Sequence, residues 1–331
     1  MSTGEGYRHF RTYAHEVIEV RDISRRFGSL VALDHVSFRV EPGEIVALLG
    51  PNGAGKTTAS RIIAGILAPT EGDVLVDGIS VRADPHRVRQ RCGMVTDQPS
   101  LYERMTLRAY LGFFCHLYDV AEAGKRTEEL AELLGLTDRL DVRLGAFSRG
   151  MKQKVAIARG LVHDPPVLLL DEPATALDPE TARSLRSFIV SLRARHRAIL
   201  LCTHDLDEAQ RIADRVVVLY RGRVAREGLT GALRADSHPR FVVSFTGDAA
   251  VARDALARAG VRAEPASSEN GYAALRFDAD EPGTTNPAVL RALLDGGLRV
   301  ITLVREERSL EDAYFAIVAE AREPETGKTS G

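Results

Sequence analysis

The stretch Gly50-Pro-Asn-Gly-Ala-Gly-Lys-Thr-Thr58 constrains the fold of this chain more than any other part of its sequence. It matches the pattern G-x-x-x-x-G-K-[ST], whose glycines let backbone N–H groups approach phosphate oxygens closely because no Cβ intervenes. The apolar run at residues 44–49 precedes it and predicts a buried parallel strand. After it, apolar residues are spaced as on one buried face of a helix, at Ala59, Ile62, Ile63, Ile66 and Leu67. A loop between such a strand and such a helix predicts a bound nucleotide.

The side chains of this loop have different predicted tasks. Lys56 is expected to reach the β- and γ-phosphates, and the hydroxyl of Thr57 is expected to bind Mg²⁺. Upstream, the ring of Phe27 either stacks on the adenine or belongs to the core, and the sequence leaves both possibilities open. The residues predicted to contact ATP are Phe27, Gly50, Pro51, Asn52, Gly53, Ala54, Gly55, Lys56, Thr57 and Thr58.

Two carboxylates follow the apolar run at residues 167–170, which predicts another buried strand. Because successive side chains of a strand point in opposite directions, Asp171 and Glu172 are expected to serve different purposes. Asp171 is predicted to hold Mg²⁺ through a water molecule, and Glu172 to accept a proton from the attacking water.

His204 follows a further apolar strand, residues 198–203, at the end where parallel strands present ligand-binding side chains. It is therefore predicted to lie near the γ-phosphate. Asp205 and Glu208 are spaced as a capping box for the next helix.

The composition limits the classes of protein that this chain can represent. Its 331 residues favour about two domains, and 44% hydrophobic with 27% charged residues is ordinary for a globular protein. A formal net charge of -2 argues against a globally basic nucleic-acid binder. No uninterrupted apolar run is long enough to span a bilayer, so a membrane role needs a partner. Cys92, Cys115 and Cys202 are far apart and are predicted to be reduced core residues.

The chain divides into two predicted domains with frayed ends. Residues 16–232 form the nucleotide-binding domain, in which a helical block at about 100–162 contains helices at 107–118, 126–134 and 152–161. Residues 237–321 alternate as β-α-β-β-α-β, a split βαβ pattern, before a final helix at 310–321. The apolar face of that helix is predicted to consist of Leu310, Tyr314, Phe315 and Val318. Residues 1–15 and 322–331 are predicted to be disordered tails.

The order of these motifs resembles the ATP-binding cassette (ABC) family over residues 16–232. The phosphate loop resembles its Walker A motif, and residues 167–172 resemble its Walker B motif with the catalytic glutamate. The family's other landmarks are matched by Ser148, Arg149 and Gly150 for the signature loop, Asp178 for the D-loop and His204 for the switch histidine. The resemblance implies an α/β fold of the P-loop NTPase class. Its parts would be a mixed sheet core, an antiparallel β subdomain and a helical subdomain, followed here by a small α+β domain.

The resemblance also implies a mechanism and partners. Two ATPase subunits, as a homodimer or a heterodimer, would clamp ATP and Mg²⁺ between the phosphate loop of one and the signature loop of the other. Glu172, Lys56 and His204 would carry out hydrolysis. A separate integral membrane permease would use the resulting motion, with the chain peripheral on the cytoplasmic face of the plasma membrane and no nucleic acid bound.

Two departures from the family pattern affect these expectations. The signature reads Phe-Ser-Arg-Gly-Met, which looks like the branch that serves ABC-2-type permeases, including exporters of drugs, antibiotics and polysaccharides. At the Q-loop, either Asp97 or Gln98 occupies the position of the family's glutamine. The alternatives to a transporter subunit are a soluble ABC ATPase acting on ribosomes or DNA and a nucleotide-binding module that hardly hydrolyses ATP. A single phosphate loop without a long heptad run disfavours the former, and the intact catalytic residues disfavour the latter.

Overall fold

The structure is a computed structural model that describes residues 17–98, 100–193, 196–235, 239–266, 271–306 and 309–322. The chain forms two compact units, and the second extends from Leu229 to Ala319. The tails predicted to be disordered lie outside the described residues, apart from Arg322.

Through the first part of the chain, strands alternate with helices in an α/β order. The elements are β1 (Ile18–Phe27), β2 (Leu30–Val40), β3 (Ile45–Leu49), α1 (Lys56–Ile63), β4 (Glu71–Val76), β5 (Ile79–Ser80), α2 (Pro85–Arg89), β6 (Cys92–Val95), α3 (Leu107–Leu117), α4 (Ala123–Leu134), 3₁₀ turns at Thr137–Arg139 and Leu144–Ala146, α5 (Arg149–Leu161), β7 (Val167–Asp171), α6 (Pro179–Leu192), β8 (Ala198–Thr203), α7 (Leu206–Ile212), β9 (Arg215–Tyr220) and β10 (Arg223–Leu229). The remaining elements are α8 (Thr230–Ala235), β11 (Arg240–Thr246), α9 (Ala249–Arg258), β12 (Ala263–Ala266), β13 (Ala273–Asp278), α10 (Pro282–Asp295), β14 (Arg299–Glu306) and α11 (Leu310–Glu320).

A six-stranded sheet with the order β10-β9-β3-β8-β7-β6 forms the centre of the first unit. β3 pairs in parallel with β8 and β9, and β7 pairs in parallel with β8 and β6. Every residue of β3, β7 and β8 is buried, as parallel strands covered on both faces require. The strands predicted from these apolar runs are confirmed.

A second sheet, with the order β2-β1-β4-β5, is antiparallel throughout. α1 contacts strands of both sheets, and Ala59, Ile62 and Ile63 join the apolar side chains of both in one core. The helix that follows the phosphate loop is thus held on two sides, which fixes the direction of its N-terminus.

The helical block consists of α3, α4 and α5. A glycine after the last apolar residue of the pattern predicts the end of α4, and Gly135 does end this helix in a left-handed conformation (φ 66°). α5 begins at Arg149, earlier than the predicted Lys152, because the Ser148 hydroxyl accepts a hydrogen bond from the Met151 N–H and caps the helix. The spacing of Leu130, Leu133 and Leu134 predicts one buried stripe on α4, but Leu133 is 42% exposed.

The second unit contains an antiparallel sheet with the order β12-β13-β11-β14. This arrangement and the intervening helices α9 and α10 confirm the predicted β-α-β-β-α-β pattern. Alternate residues of β11, namely Phe241, Val243 and Phe245, are buried in its core.

Three apolar patterns were assigned wrongly in detail. α1 ends at Ile63 and Gly65 takes a left-handed conformation (φ 67°), so Ile66 leaves the helical face and is 59% exposed. The sequence pattern predicts a helix at residues 287–294, but α10 begins at Pro282, because this earlier proline already supplies the favoured first helical position. In α11 the buried residues are Leu310, Ala313, Ile317 and Val318, while Phe315 is 60% exposed.

The three cysteines are buried and form no disulfide, as predicted. Burial raises the pKa of Cys92 and Cys202 to about 12, which makes both thiols inert. Among the helices in the described ranges, none combines the length and the hydropathy that a bilayer crossing requires.

A close backbone contact between β6 and α5 gives a test of the fold. A Cβ built on Gly93 would overlap the carbonyl oxygen of Gly160. Gly93→Ala is therefore expected to lower the free energy of unfolding by roughly 3 kcal/mol, as overpacking of a core does. Denaturant unfolding measures this change.

Gly112 on α3 provides the matched control, since a Cβ there would meet nothing within 4 Å. Gly112→Ala is expected to raise the free energy of unfolding by about 0.5–1 kcal/mol through helix propensity. Equal unfolding midpoints for the two variants would contradict the close approach at Gly93.

Candidate functional site

The phosphate loop connects β3 to α1 at the carboxyl edge of the central sheet. Gly50 leaves no room for a side chain, because a Cβ there would overlap the carbonyl oxygen of Leu219. Gly55 has φ 109°, and a Cβ on it would lie 2.6 Å from the carbonyl oxygen of Ala32. Close packing from behind and an unusual backbone conformation thus require glycine at both ends of the loop.

Two side chains at the start of α1 point into the site. Lys56 is 6% exposed, and its Nζ donates hydrogen bonds to the carbonyl oxygens of Gly50 (2.6 Å) and Pro51 (3.3 Å). The hydroxyl of Thr57 donates to Oδ2 of Asp171 over 2.8 Å. This hydrogen bond joins the phosphate loop to the end of β7.

Asp171 is the last residue of β7 and is 5% exposed. Burial raises its pKa, and the hydrogen bond from Thr57 opposes that effect. The nearby charges of Glu172 and Asp97 raise the pKa further, whereas Lys56 lowers it. A divalent cation beside this carboxylate would favour its ionised form.

Glu172 follows β7 in a left-handed conformation (φ 50°) that non-glycine residues rarely adopt. Its Oε1 lies 2.8 Å from Nδ1 of His204 and 3.9 Å from Nζ of Lys56. Its Oε2 accepts hydrogen bonds from the hydroxyls of Thr175 (3.2 Å) and Thr203 (3.3 Å). The carboxylate is therefore held on both oxygens, in contacts different from those of Asp171, as the strand alternation predicts.

An open cavity of about 540 Å³ brings most of the predicted residues together. At one end, Phe27 is 45% exposed and lies with Leu30, Val31 and Ala32, so of the two alternatives left open for its ring the core position is wrong. The guanidinium of Arg25 lies 4.6 Å from the ring centroid of Phe27. From there the wall continues through Pro51, Asn52, Gly53, Ala54, Gly55, Lys56, Thr57, Thr58, Arg61, Thr96, Asp97, Asp171 and Glu172.

Asp97 and Gln98 differ in their relation to this cavity. Asp97 lines it and acts electrostatically on Asp171. Gln98 is exposed and is not part of the wall, and its backbone carbonyl accepts a hydrogen bond from the hydroxyl of Thr96 (3.0 Å).

The predicted signature and D-loop residues lie apart from the cavity wall. Ser148 and Asp178 are the N-caps of α5 and α6, and the pKa of Asp178 is lowered by its hydrogen bonds to Thr181. Gly150 packs against the first turn of α6, since a Cβ on it would overlap Cγ2 of Thr181. The two loops therefore form one packed unit on the same chain.

Two contacts of Glu172 were not anticipated from the sequence. The position of Thr203 at the end of β8, beside His204, was a usable signal, because strand ends gather site residues. Thr175 carried no signal of this kind. The capping box assigned to Asp205 and Glu208 is only half formed: Asp205 accepts a hydrogen bond from the Glu208 N–H, but the Asp205 N–H donates to the Thr203 hydroxyl.

The chemistry of the site fits a polyphosphate with Mg²⁺. The loop backbone, the N-terminus of α1 and Lys56 supply N–H donors and positive charge. Thr57 and Asp171 are hard oxygen donors, and Mg²⁺ is commonly held by one or two such protein groups together with substrate phosphates. Within the described residues, no group of three or more His, Cys, Asp or Glu side chains is arranged to hold a metal ion by itself.

Comparisons with known proteins agree with this geometry. A family model described as ABC transporter matches residues 33–175. The chain is 41% identical over 219 residues to the ABC transporter ATP-binding protein NatA of Bacillus subtilis (strain 168), covering 64% of this chain and 89% of that protein. It is 34% identical over 305 residues to the Nod factor export ATP-binding protein I of Burkholderia lata, covering 91% of this chain and 96% of that protein.

A solved structure extends the similarity to three dimensions. It is the dimeric post-hydrolysis state of the ATP-binding cassette MJ0796 bound to ADP and Pi, which is 27% identical, has a TM-score of 0.58 and covers 64% of this chain and 98% of that chain. These similarities confirm the predicted P-loop α/β fold.

Proposed function

This chain belongs to the ABC transporter family as an ATP-binding, ATP-hydrolysing subunit, and on that premise we propose which of its residues bind ATP, hydrolyse it and couple it to transport. The observation that carries the proposal is the continuous set of contacts from Thr57 through Asp171 on one side and from Lys56 through Glu172 to His204 on the other. These contacts join the phosphate loop to Asp171, the candidate metal ligand, and to Glu172, the candidate base.

ATP binding is assigned to residues 50–58 and Phe27. The loop backbone and Lys56 surround the phosphates, and the exposed face of Phe27 stacks on the adenine ring at the apolar end of the cavity. Arg25 covers the ring of Phe27 and so restricts its orientation.

Thr57 and Asp171 are the protein groups assigned to Mg²⁺, Asp171 through a water molecule. When bound, Mg²⁺ neutralises charge on the phosphate oxygens during the reaction. Glu172 accepts the proton of the attacking water, Lys56 stabilises charge on the γ-phosphate, and His204 orients Glu172 through its 2.8 Å contact.

The signature residues Ser148, Arg149 and Gly150 and the D-loop residue Asp178 are assigned to the second nucleotide of a dimer. Support comes from their position away from the cavity of their own chain and from the dimeric state of the solved relative. The exposed N-terminus of α5 supplies N–H groups suited to the γ-phosphate of the partner's nucleotide. Either two copies of this chain or this chain and a related subunit form the dimer.

We propose that a separate integral membrane permease of the ABC-2 type uses the motion of this dimer to export its substrate. The relatives are an export subunit and a transporter subunit, which disfavours a soluble ATPase acting on ribosomes or DNA. Tyr102, Phe113 and Leu117 at the helical block are 56%, 46% and 63% exposed, an apolar surface of the kind that partners cover. As such a subunit the chain works at the cytoplasmic face of the plasma membrane.

Glu172→Gln tests the assigned base. Hydrolysis of ATP should fall at least about 100-fold, because a positioned general base contributes 10²–10⁴-fold. ATP affinity should change little, since the amide keeps the shape of the carboxyl group, and the variant should accumulate as a dimer with Mg²⁺ and ATP in light scattering. Glu132→Gln, an exposed position on α4, is the control. Hydrolysis by Glu172→Gln at the wild-type rate would remove the base role.

Asp97→Asn and Gln98→Ala separate the two candidates for the Q-loop. Asp97 borders the cavity, so Asp97→Asn should weaken the Mg²⁺-dependent gain in ATP affinity about tenfold, as loss of a carboxylate beside a bound metal does. Gln98→Ala should leave that gain unchanged. The gain is measured by titrating each variant with a fluorescent ATP analogue, once with Mg²⁺ and once with EDTA, and comparing the two affinities. The reverse pattern would assign the role to Gln98.

Copurification tests the partner. The full chain, tagged and recovered from detergent-solubilised membranes, should bring with it a protein with several apolar spans. Phe113→Ser combined with Leu117→Ser should reduce that recovery several-fold without loss of ATP binding. Leu294→Ser, equally exposed but in the second unit, is the control. Equal recovery with all three chains would exclude the α3 surface as the docking site.

A further inference from the structure

Glu208, on the first turn of α7, is a buried carboxyl group that the proposed reaction does not use. It is 1% exposed, and its Oε1 has no hydrogen-bond partner within the described part of the chain. A buried polar atom without a partner is costly and is uncommon in native proteins, so it calls for an explanation. α7, which carries Glu208, contacts β8, the strand that ends at Thr203.

Thr203 connects Glu208 to the catalytic carboxylate. Its side chain is fully buried, and its hydroxyl is 3.3 Å from Oε2 of Glu172. The Thr203 side chain also interacts with the carboxyl group of Glu208, and its hydroxyl accepts a hydrogen bond from the Asp205 N–H (3.0 Å). A threonine hydroxyl has one proton, so it can donate to only one of the two carboxyl groups at a time.

The charge of Glu208 is set by several neighbours. Burial raises the pKa of Glu208 to about 7, with further increases from the charges of Asp205 and Glu172. The hydrogen bond from Thr203 and the charge of Arg186 on α6 lower it. Near neutral pH the folded chain therefore contains both the protonated and the ionised forms.

The two forms leave the Thr203 proton in different places. A protonated Glu208 donates its own O–H to the free lone pair of the Thr203 oxygen, and the Thr203 proton then remains available to Glu172. An ionised Glu208 competes for the Thr203 proton and adds a negative charge behind Glu172. In that form Glu172 loses one of its two hydroxyl donors.

We propose that Glu208 is a positioning residue for ATP hydrolysis, which in its protonated form acts through the Thr203 hydroxyl to hold the Glu172 carboxylate against the attacking water. This inference rests on the proposed role of Glu172 as the base. No proton passes from Glu208 to substrate, and the control is exerted entirely through one hydrogen bond.

A purely structural Glu208 would behave differently. It would affect folding or stability, and replacing it would scale the hydrolysis rate by the same factor at every pH. A positioning Glu208 makes the effect depend on pH. Glu208→Gln keeps the shape and a permanent N–H donor, so it imitates the protonated form at every pH.

The decisive measurement is kcat for ATP hydrolysis between pH 6 and 9 at saturating Mg²⁺ and ATP, using the full chain. The ratio of kcat for Glu208→Gln to kcat for wild type should rise about tenfold from pH 6 to pH 9, the effect of one hydrogen bond to a charged group. Asp207→Asn, an exposed position on the same helix, should give a constant ratio. A constant ratio for Glu208→Gln would overturn the proposal.

Thr203 supplies a second, independent variant. Thr203→Val removes the connecting hydroxyl, so adding Glu208→Gln to Thr203→Val should no longer alter the pH profile, whereas Thr203→Ser should restore the wild-type profile. If Glu208→Gln alone did not fold, Thr203→Val would still decide. The proposal predicts that wild-type kcat declines above pH 7 and that this decline is lost in Thr203→Val, whereas a wild-type kcat without the decline, or its persistence in Thr203→Val, would overturn the connection.

Thermal unfolding reports the protonation of Glu208 apart from hydrolysis. A carboxyl group whose pKa is raised in the folded state destabilises that state increasingly as pH rises from its unfolded value to its folded value of about 7. Glu208→Gln should therefore raise the melting temperature at pH 8.5 and change it little near pH 4.5. A change of equal size at both pH values would overturn the assignment of a titrating Glu208.

The outcomes separate this inference from the proposed function. A wild-type chain that neither binds nor hydrolyses ATP would overturn the proposed function itself. A wild-type chain that hydrolyses ATP, but whose pH profile Glu208→Gln and Thr203→Val leave unchanged, would overturn only the role of Glu208.

Discussion

The carboxyl ends of β3, β7 and β8 lie at one edge of the central sheet because these neighbouring strands are parallel and in register. Each strand leads directly into a part of the site: β3 into the phosphate loop, β7 into Glu172 and β8 into His204. The sheet thus brings together residues that are more than a hundred positions apart along the chain. An antiparallel β7 would deliver its carboxylates to the opposite edge.

The cavity wall contains three carboxyl groups, those of Asp97, Asp171 and Glu172, and two cationic side chains, those of Lys56 and Arg61. Lys56 is nearly buried and faces Glu172, while Asp171 has a hydroxyl partner and a raised pKa. A divalent cation beside Asp171 would offset negative charge there and favour the ionised form of this carboxyl group.

Sequence patterns predicted correctly those elements that depend on a few neighbouring residues. The phosphate loop, the buried strands and the stop at Gly135 depend on residue spacing or on the conformational freedom of glycine. The apolar stripes were less reliable, because Ile66 and Phe315 are apolar residues whose side chains point away from the core. Helix periodicity restricts which faces can be buried, but tertiary packing selects among them.

The sequence left open which residues of the loops have side chains that face the cavity. Asp97 and Gln98 are adjacent and polar, and no periodicity decides which one faces the cavity. The spacing of Asp205 and Glu208 matched a capping box because that motif considers only the positions of residues along the chain. Its burial depends on strands and helices distant in sequence, which that comparison does not include.

The contact between Gly93 and Gly160 has a mechanical consequence. With no side chain between them, β6 and the end of α5 meet backbone to backbone, and a side chain on Gly93 would force the two elements apart. The opposite end of α5, at Ser148, is roughly 18 Å away at 1.5 Å per helical residue. The contact thus fixes the C-terminal end of α5 against β6, the strand that leads toward Asp97, while the Ser148 end of the helix lies away from it.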